Sequence, residues 1–232
     1  PAGVRIRPEC GICTTAFPCS TQLASTWDPE LAYAVGQAGA RELKENNLAA
    51  WLTPAVNIHR NPLCGRNFEY YSEDPLLAGS MAAGFVRGVQ SQRVSACVKH
   101  FALNNKETNR KNSDSRVSER AARESYLKPF EIIVKTADPW YVMSSYNLIN
   151  GCRASECGEL LEDILRQEWG FGGMVSTDWH TYSEQYKEIK AGNDLRTAAF
   201  GMGVYSSHGV ERAHMEGIEN TVKLMLSYVL EG

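Results

Sequence analysis

Short apolar runs typical of β-strands recur along this chain, and amphipathic stretches typical of helices lie between them. The predicted strands cover residues 49–58, 94–98, 140–145, 174–177 and 193–195, with one more possible short strand at 14–17. Most intervals are about 35 to 45 residues, which is enough for βα units that need roughly 30. We find no pattern that indicates an antiparallel hairpin. Serial βα units of this kind predict a parallel sheet covered by helices.

Three predicted helices have defined starting points, because a capping residue or a proline precedes apolar positions at helical spacing. Asp28 and Pro29 open the first, Pro75 opens the second, which runs to about Val89, and Ser118 opens the third. Further helices are predicted over residues 159–168, 182–190 and 211–230. No linker or low-complexity tract interrupts the series, so we expect a single domain.

Polar groups stand at the ends of four predicted strands: residues 57–60, Lys99 with His100, Tyr146 with Asn147, and Asp178. A closed barrel gathers many strand ends around one pocket, whereas an open sheet concentrates its site at one switch point. We therefore predict a (β/α)8 barrel over residues 1–232, with a loop and strand remnant at 1–20 and a terminal helix at 205–232. A full barrel takes about 250 residues, so one or two units are expected to be absent at the amino end.

Charge and composition narrow the classes of ligand. A formal net charge of -3 provides no positive field for nucleic acid or for an anionic membrane. No apolar run approaches the roughly 20 residues that span a bilayer. Seven cysteines are an odd number, which favours free thiols and a reducing compartment, and the CxxC at Cys10 and Cys13 has no partner pair at zinc-ligand spacing. We expect a small neutral ligand and neither metal nor cofactor.

Four long segments carry a resemblance to a known family. They read GRNFEYYSEDP (65–75), KHFALNNKETNR (99–110), YVMSSYNLING (141–151) and LRQEWGFGGMVSTDW (165–179). In order and spacing they resemble glycoside hydrolase family 3, the β-glucosidase and β-xylosidase family. The fragments STWDPELAYAVGQAGARE and AGNDL extend the resemblance over residues 1 to about 201.

The resemblance implies a role for individual residues. Asp178 matches the aspartate that attacks the anomeric carbon and forms a covalent glycosyl-enzyme. The positions that match substrate-binding residues are Arg66, Lys99, His100, Met143, Tyr146 and Trp179. Glu107 and Arg110 match supporting positions. A retaining glycosidase needs its nucleophile ionised, and we expect the charges of Lys99 and Arg66 to keep the pKa of Asp178 low.

Structural alternatives stay open for these residues. Asp178 alone could cap the next helix, and Lys99 with His100 could be a surface pair. Arg66 could pair with Glu69 or Asp74, and Glu107 could pair with Arg110. Met143 lies in an apolar run and is by itself typical of a core residue. Trp179 could likewise have a structural role instead of contacting the substrate. Of the histidines outside these segments, His59 could line the pocket, while His180, His208 and His214 are expected to be exposed.

The resemblance also implies what the chain lacks. In most of the family the acid/base glutamate comes from an α/β sandwich domain, which is absent here and could precede or follow the chain. A sugar-binding aspartate ahead of the PAGVR segment is absent as well. The loop FALNNKETNR has no histidine, which argues against the N-acetylglucosaminide branch. We therefore interpret the chain as a fragment that is inactive or very weak alone.

The favoured function is hydrolysis of terminal β-linked glucose by a retaining, exo-acting enzyme. A β-xylosidase or related β-glycosidase is the nearest alternative, because the two differ only at the sugar C6 position. A non-catalytic sugar-binding remnant and, more distantly, a Schiff-base aldolase that uses Lys99 are the others. The expected partners are a small carbohydrate and the sandwich domain of the same polypeptide; a homo-oligomer stays open.

Overall fold

The computed structural model describes residues 3–4 and 12–197. The strands are β1 (Ala50–Trp51), β2 (Ser95–Phe101), β3 (Asp114–Ser115), β4 (Tyr141–Ser144), β5 (Leu148–Ile149), β6 (Cys152–Arg153) and β7 (Met174–Thr177). The α-helices are α1 (Ser20–Ala24), α2 (Pro29–Glu45), α3 (Pro75–Gln90), α4 (Glu119–Ala121), α5 (Lys128–Ala137) and α6 (Gln185–Lys190). Ala122–Tyr126 and Glu159–Glu168 are helical with π-type hydrogen bonding, and Asn67–Glu69 and Ala154–Glu156 are short 3₁₀ turns.

The main sheet has the strand order β1-β2-β4-β7, and all its pairs are parallel. Val142 of β4 aligns with Val98 of β2 on one side and with Val175 of β7 on the other. A single bridge from Ser176 to Leu195 continues the sheet beyond β7. The predicted α/β fold with a parallel sheet and intervening helices is confirmed, while the described residues do not close a barrel.

Local capping explains where the predicted helices begin. The Asp28 carboxylate accepts hydrogen bonds from the amides of Glu30 at 3.0 Å and Leu31 at 3.2 Å at the start of α2. Asp74 accepts from the Leu77 amide at 2.8 Å before α3. Ser118 likewise caps α4. All three predicted starts are confirmed, because a cap satisfies amides that have no partner in the first turn.

Helices α2 and α3 approach each other through glycine. A methyl group built at Gly88 would lie 2.1 Å from the carbonyl oxygen of Tyr33, and one at Gly84 would lie 2.3 Å from that of Pro29. Real Cβ atoms do not approach oxygen this closely, so the backbones of the two helices meet directly. Any side chain larger than hydrogen at Gly84 or Gly88 would therefore separate α2 from α3.

The strands bury different residues on their two faces. Val98 and Val142 belong to the large apolar core shared with the helices. Cys97, Tyr141 and Met143 form a separate buried cluster on the other face. Because successive side chains of a strand point to opposite faces, the sheet is buried on both sides.

The predicted strand over residues 49–58 is wrong in its length. Strand β1 covers only Ala50–Trp51, and further pairing is limited to a bridge between Ala55 and Lys99. Pro54 lies between these points and has no N–H to donate to a ladder. The possible strand at 14–17 is also wrong, because those residues lie in an irregular segment. The run at 193–195 forms only the bridge at Leu195.

The expected absence of a hairpin is wrong as well. Strands β5 and β6 pair antiparallel around the two-residue turn Asn150-Gly151, where both residues have positive φ. Asn-Gly is a strong signal for such a turn, because asparagine and glycine tolerate positive φ. The predicted helix over 182–190 begins later, at Gln185, and the one over 211–230 lies outside the described residues. None of the helices in the described part is long and apolar enough to cross a membrane.

Candidate active site

The predicted site residues come together at one edge of the main sheet. Asp178 follows the last residue of β7, Tyr146 follows β4, and Lys99 and His100 lie near the end of β2. These strands are parallel, so their carboxyl ends share an edge. Arg66 reaches the same region from the segment between β1 and α3, where its charge acts on Asp178.

Asp178 is a buried carboxylate, with 5% of its surface exposed. The Trp179 amide donates a hydrogen bond to Oδ1 at 2.8 Å. Burial raises the pKa of Asp178 above its ordinary value, although the hydrogen bond from the Trp179 amide and the nearby Tyr146 hydroxyl lower it. Arg66 and Lys99 lower it further by their charge, but burial outweighs all four. The expectation of a low pKa is therefore wrong: the cations limit the rise without reversing it.

His100 faces Asp178 as a neutral ring. Burial lowers the pKa of His100 well below its ordinary value, and the charges of Arg66 and Lys99 lower it further. Its Nε2 lies 3.8 Å from Oδ2 of Asp178, which is too long for a hydrogen bond. Asn57 fixes the backbone of His100 from both sides, since its Oδ1 accepts from the His100 amide and its Nδ2 donates to the His100 carbonyl, each at 2.9 Å.

The two cations Arg66 and Lys99 lie near the same two carboxylates, those of Glu69 and Asp178. Arg66 forms an ion pair with Glu69, as the structural alternative expected, and both side chains are largely buried. Burial would lower the pKa of Arg66, yet the negative groups around it, including Glu69 and Asp178, raise it overall. Burial lowers the pKa of Lys99, and Glu69 partly offsets this effect. The ion pair therefore does not remove Arg66 from the field of Asp178.

Met143 and Trp179 differ in their exposure. Met143 is 1% exposed and packs with Cys97 and Tyr141 on the face of the sheet opposite the main core. This packing agrees with the core alternative for Met143. Trp179 keeps 36% of its surface exposed, so its ring is accessible directly beside Asp178.

Glu107 and Arg110 pair with each other at 2.8 Å, which is the structural alternative for these two residues. Asn104 also donates to Glu107 at 3.2 Å. The Arg110 guanidinium lies 4.7 Å from the centroid of the Tyr146 ring, a distance typical of a cation–π contact. Arg110 thus supports a residue that contacts Asp178.

Three buried polar residues that the sequence pattern does not mark as site residues lie around His100: Tyr70, Asn104 and Asn57. Tyr70 is fully buried, and its hydroxyl lies 3.5 Å from Nδ1 of His100 and accepts from Asn104 at 3.0 Å. Asn57, the third, appeared only as a polar strand end without a role. Tyr70 lies inside the GRNFEYY segment, which also carries Arg66. A polar aromatic residue in a segment that already supplies a site residue was the signal that could have identified it.

The remaining histidines and cysteines add no metal centre to the described residues. Nε2 of His59 lies 2.9 Å from the Asn67 carbonyl, which ties it to the turn Asn67–Glu69. His180 is exposed as expected, and His208 and His214 lie outside the described residues. Cys13 is a free thiol, and Cys10 is not described. Within residues 3–4 and 12–197, no group of three or more histidine, cysteine or acidic side chains is placed to hold a metal ion.

The site contains a buried carboxylate, a neutral histidine and two cations, all at the carboxyl edge of a parallel sheet. This arrangement defines an α/β domain whose site is built on strand ends. The chain belongs to glycosyl hydrolase family 3, since residues 6–207 match the N terminal domain of that family. The resemblance seen in the sequence is thereby confirmed.

Relatives of this chain carry glycosidase names. It is 64% identical to β-glucosidase A of Butyrivibrio fibrisolvens over 84% of this chain and 24% of the relative. It is 51% identical to exo-α-(1→6)-L-arabinopyranosidase of Bifidobacterium longum over 78% of this chain and 24% of that protein. A solved structure of β-glucosidase 3B from Thermotoga neapolitana in complex with glucose matches with a TM-score of 0.85 at 50% identity, over 94% of this chain and 32% of that chain. The chain thus spans about a quarter of the length of the curated relatives.

Proposed function

We propose that this domain carries the nucleophile and the sugar-binding residues of a retaining, exo-acting β-glucosidase. The observation that carries the proposal is the environment of Asp178. Its carboxylate is buried at the end of β7. Oδ1 accepts a hydrogen bond from the Trp179 amide, and Oδ2 faces the neutral ring of His100. A carboxylate that is held by hydrogen bonds and lies under two cations is suited to nucleophilic attack.

In the proposed first step, an oxygen of Asp178 attacks the anomeric carbon and the bond to the aglycone breaks, which gives a covalent glycosyl-enzyme. The acid/base of the sandwich domain protonates the departing aglycone oxygen. Water then releases the sugar with retained configuration. The transition states carry positive charge on the sugar ring, and the negative Asp178 stabilises that charge. A neutral His100 leaves the negative charge of Asp178 intact, whereas a protonated histidine at this position would offset it.

Lys99, Arg66 and His100 are proposed to bind the hydroxyls of the terminal sugar. Hydrogen bonds from charged donors are roughly twice as strong as neutral ones, so two cations suit a ligand with many hydroxyls. The exposed ring of Trp179 offers an apolar face to the C–H side of a pyranose. Met143 is proposed to shape the floor of the pocket through its buried cluster with Cys97 and Tyr141.

Two further parts of the site are proposed to lie outside the described residues. The parallel sheet is proposed to close into a (β/α)8 barrel, and the acid/base is proposed to come from an α/β sandwich domain of the same polypeptide. Support comes from the family resemblance and from relatives about four times as long as the matched region. On this proposal the isolated domain hydrolyses glucosides very weakly.

A second specificity has an observation in its favour. One relative at 51% identity is named an arabinopyranosidase, so pyranosides without the C6 hydroxymethyl group are candidates alongside glucosides. β-Xylosides belong to the same set. The residues that would contact C6 decide between these sugars.

The test is steady-state hydrolysis by the full-length polypeptide that carries this domain. The substrates are the 4-nitrophenyl β-D-glucoside, β-D-xyloside and α-L-arabinopyranoside. We expect the highest kcat/KM with the glucoside, and Asp178→Asn should abolish turnover of all three. Asp163→Asn, at an exposed helical position, is the matched control and should keep full activity. Unchanged turnover in Asp178→Asn would contradict the proposal, and a preference for a pentopyranoside would reassign the substrate.

A further inference from the structure

An alternating stack of cationic and aromatic side chains leads outward from Asp178. Tyr146, whose hydroxyl acts on Asp178, is 5% exposed. Nζ of Lys111 lies 5.2 Å from the centroid of the Tyr146 ring and 4.8 Å from that of Tyr182. Tyr182 is 62% exposed. The stack therefore begins at a buried catalytic carboxylate and ends at an accessible aromatic ring.

Lys111 is fixed by contacts to the segments that follow β4 and β7 and to Arg153 of β6. Its Nζ donates to the carbonyl of His180 at 2.8 Å, which joins the segment after β2 to the one after β7. Arg153 donates to the carbonyls of Lys111 and Tyr146, each at 2.8 Å. A lysine side chain loses rotamer entropy when it is held in one conformation. Folding already fixes Lys111, so a ligand that binds beside it does not have to order this side chain. Lys111 thus holds the Tyr182 ring in place before any ligand arrives.

The segment that carries Tyr182 presents a second accessible aromatic, Trp179, directly after Asp178. Both rings are large apolar surfaces left in contact with solvent at the edge of the sheet where the site lies. Aromatic side chains that are accessible, ordered and close to a polar site are typical of ligand-binding surfaces. The C–H face of a pyranose packs against such a ring, and Lys111 can donate to hydroxyls beside it.

We propose that Tyr182, positioned by Lys111, is a stacking platform for the sugar units beyond the terminal one. The inference rests on the proposed function, because it takes Asp178, Lys99 and His100 as the place of the terminal sugar. Asp178 and His100 are buried, whereas Tyr182 lies at the exposed end of the stack, so the remainder of an oligosaccharide leaves the site across Tyr182. The platform selects β-linked gluco-oligosaccharides over simple glucosides.

The test measures binding, by isothermal titration calorimetry, to the full-length polypeptide with Asp178→Asn so that no ligand is hydrolysed. The probes are glucose, cellobiose and cellotriose. Adding Tyr182→Ala should weaken cellobiose or cellotriose about three- to tenfold, the range of one aromatic contact, and leave glucose unchanged. Tyr182→Phe should keep the affinity. Lys111→Met should weaken the oligosaccharides and Lys111→Arg should restore them, while Trp140→Ala, an exposed aromatic before β4, should change nothing.

The outcomes separate the platform from the proposed function. Unchanged cellobiose and cellotriose binding in Tyr182→Ala overturns the platform. An equal loss for glucose and the oligosaccharides also overturns it, because Tyr182 would then brace the Asp178 segment. If the polypeptide with Tyr182 intact binds none of the three sugars, the proposed function itself is wrong, and the platform falls with it.

Discussion

The hydroxyl of Tyr146 donates a hydrogen bond to the backbone carbonyl of Trp179, the residue directly after Asp178. This bond joins the segment that follows β4 to the segment that follows β7. The Trp179 amide in turn donates to Asp178, so one residue is held by Tyr146 through its carbonyl and holds the carboxylate through its N–H. The position of the candidate nucleophile therefore depends on a side chain that comes from another strand.

Removal of the Tyr146 hydroxyl should impair activity and shift its pH dependence. We expect Tyr146→Phe to reduce kcat roughly 2- to 10-fold, since the lost hydrogen bond to the Trp179 carbonyl is worth about 0.5–1.5 kcal/mol. The hydroxyl lowers the pKa of Asp178, so its loss should move the acidic limb of the kcat/KM profile to higher pH. Tyr126→Phe, in the helical layer, is the control. An acidic limb that stays in place would contradict this role of Tyr146.

Asp178 should lower the stability of the fold at neutral pH. Its pKa is raised in the folded state, so between the unfolded value of about 3.9 and the folded value the native protein binds more protons than the unfolded chain. Stability from this group is consequently lost as pH rises through that window. We expect Asp178→Asn to raise Tm at pH 7, with the gain vanishing below about pH 3.9. Thermal unfolding at several pH values, with Asp163→Asn as control, measures it. A gain that is constant with pH would oppose the account.

Lys99 should act on substrate binding and on the nucleophile. We expect Lys99→Met to raise KM for 4-nitrophenyl β-D-glucoside roughly 10- to 100-fold, the range for a lost charged hydrogen bond. The acidic limb should also move to higher pH, because the charge of Lys99 lowers the pKa of Asp178. Lys135→Met, on α5, is the matched control. A Schiff base trapped on Lys99 by borohydride would instead support the aldolase alternative.

The contact between α2 and α3 should not tolerate a side chain at Gly88. A methyl group there would lie 2.1 Å from the Tyr33 carbonyl oxygen, so Gly88→Ala must push the helices apart. We expect a loss of about 1–3 kcal/mol in the free energy of unfolding, measured by urea denaturation. Gly158→Ala is the matched control, since Gly158 has helical φ and ψ and nothing within 4 Å of the added carbon. Equal stability of the two variants would show that the helices are not in backbone contact.

The sequence predicted those features of the fold that depend on neighbouring residues. Asp28 and Ser118 cap helices through contacts within three positions, so the pattern alone located both starts. The predicted strand over residues 49–58 is longer than β1 because Pro54, which has no N–H to donate, lies inside the apolar run. The hairpin at Asn150-Gly151 was missed although its turn signal was present, because the strands on either side are only two residues long.

The candidate site was predictable in its members but not in its connections. Asp178 and the pair Lys99 and His100 stand at strand ends, which the sequence pattern reveals. The bonds from Asn57 to His100 span 43 positions, and no local pattern encodes such a contact. The pKa of Asp178 also escaped prediction, because its direction depends on how deeply the fold buries the carboxylate.

Covalent labelling tests the central claim, that Asp178 is the nucleophile, most directly. The full-length polypeptide is treated with 2,4-dinitrophenyl 2-deoxy-2-fluoro-β-D-glucoside, and its peptides are then analysed by mass spectrometry. The fluorine slows hydrolysis of the glycosyl-enzyme, so the sugar should remain on the peptide that contains Asp178, and Asp178→Asn should carry no label. Glucose binding without any label would support the sugar-binding remnant instead. A label on a different carboxylate, with Asp178 unmodified, would contradict the account.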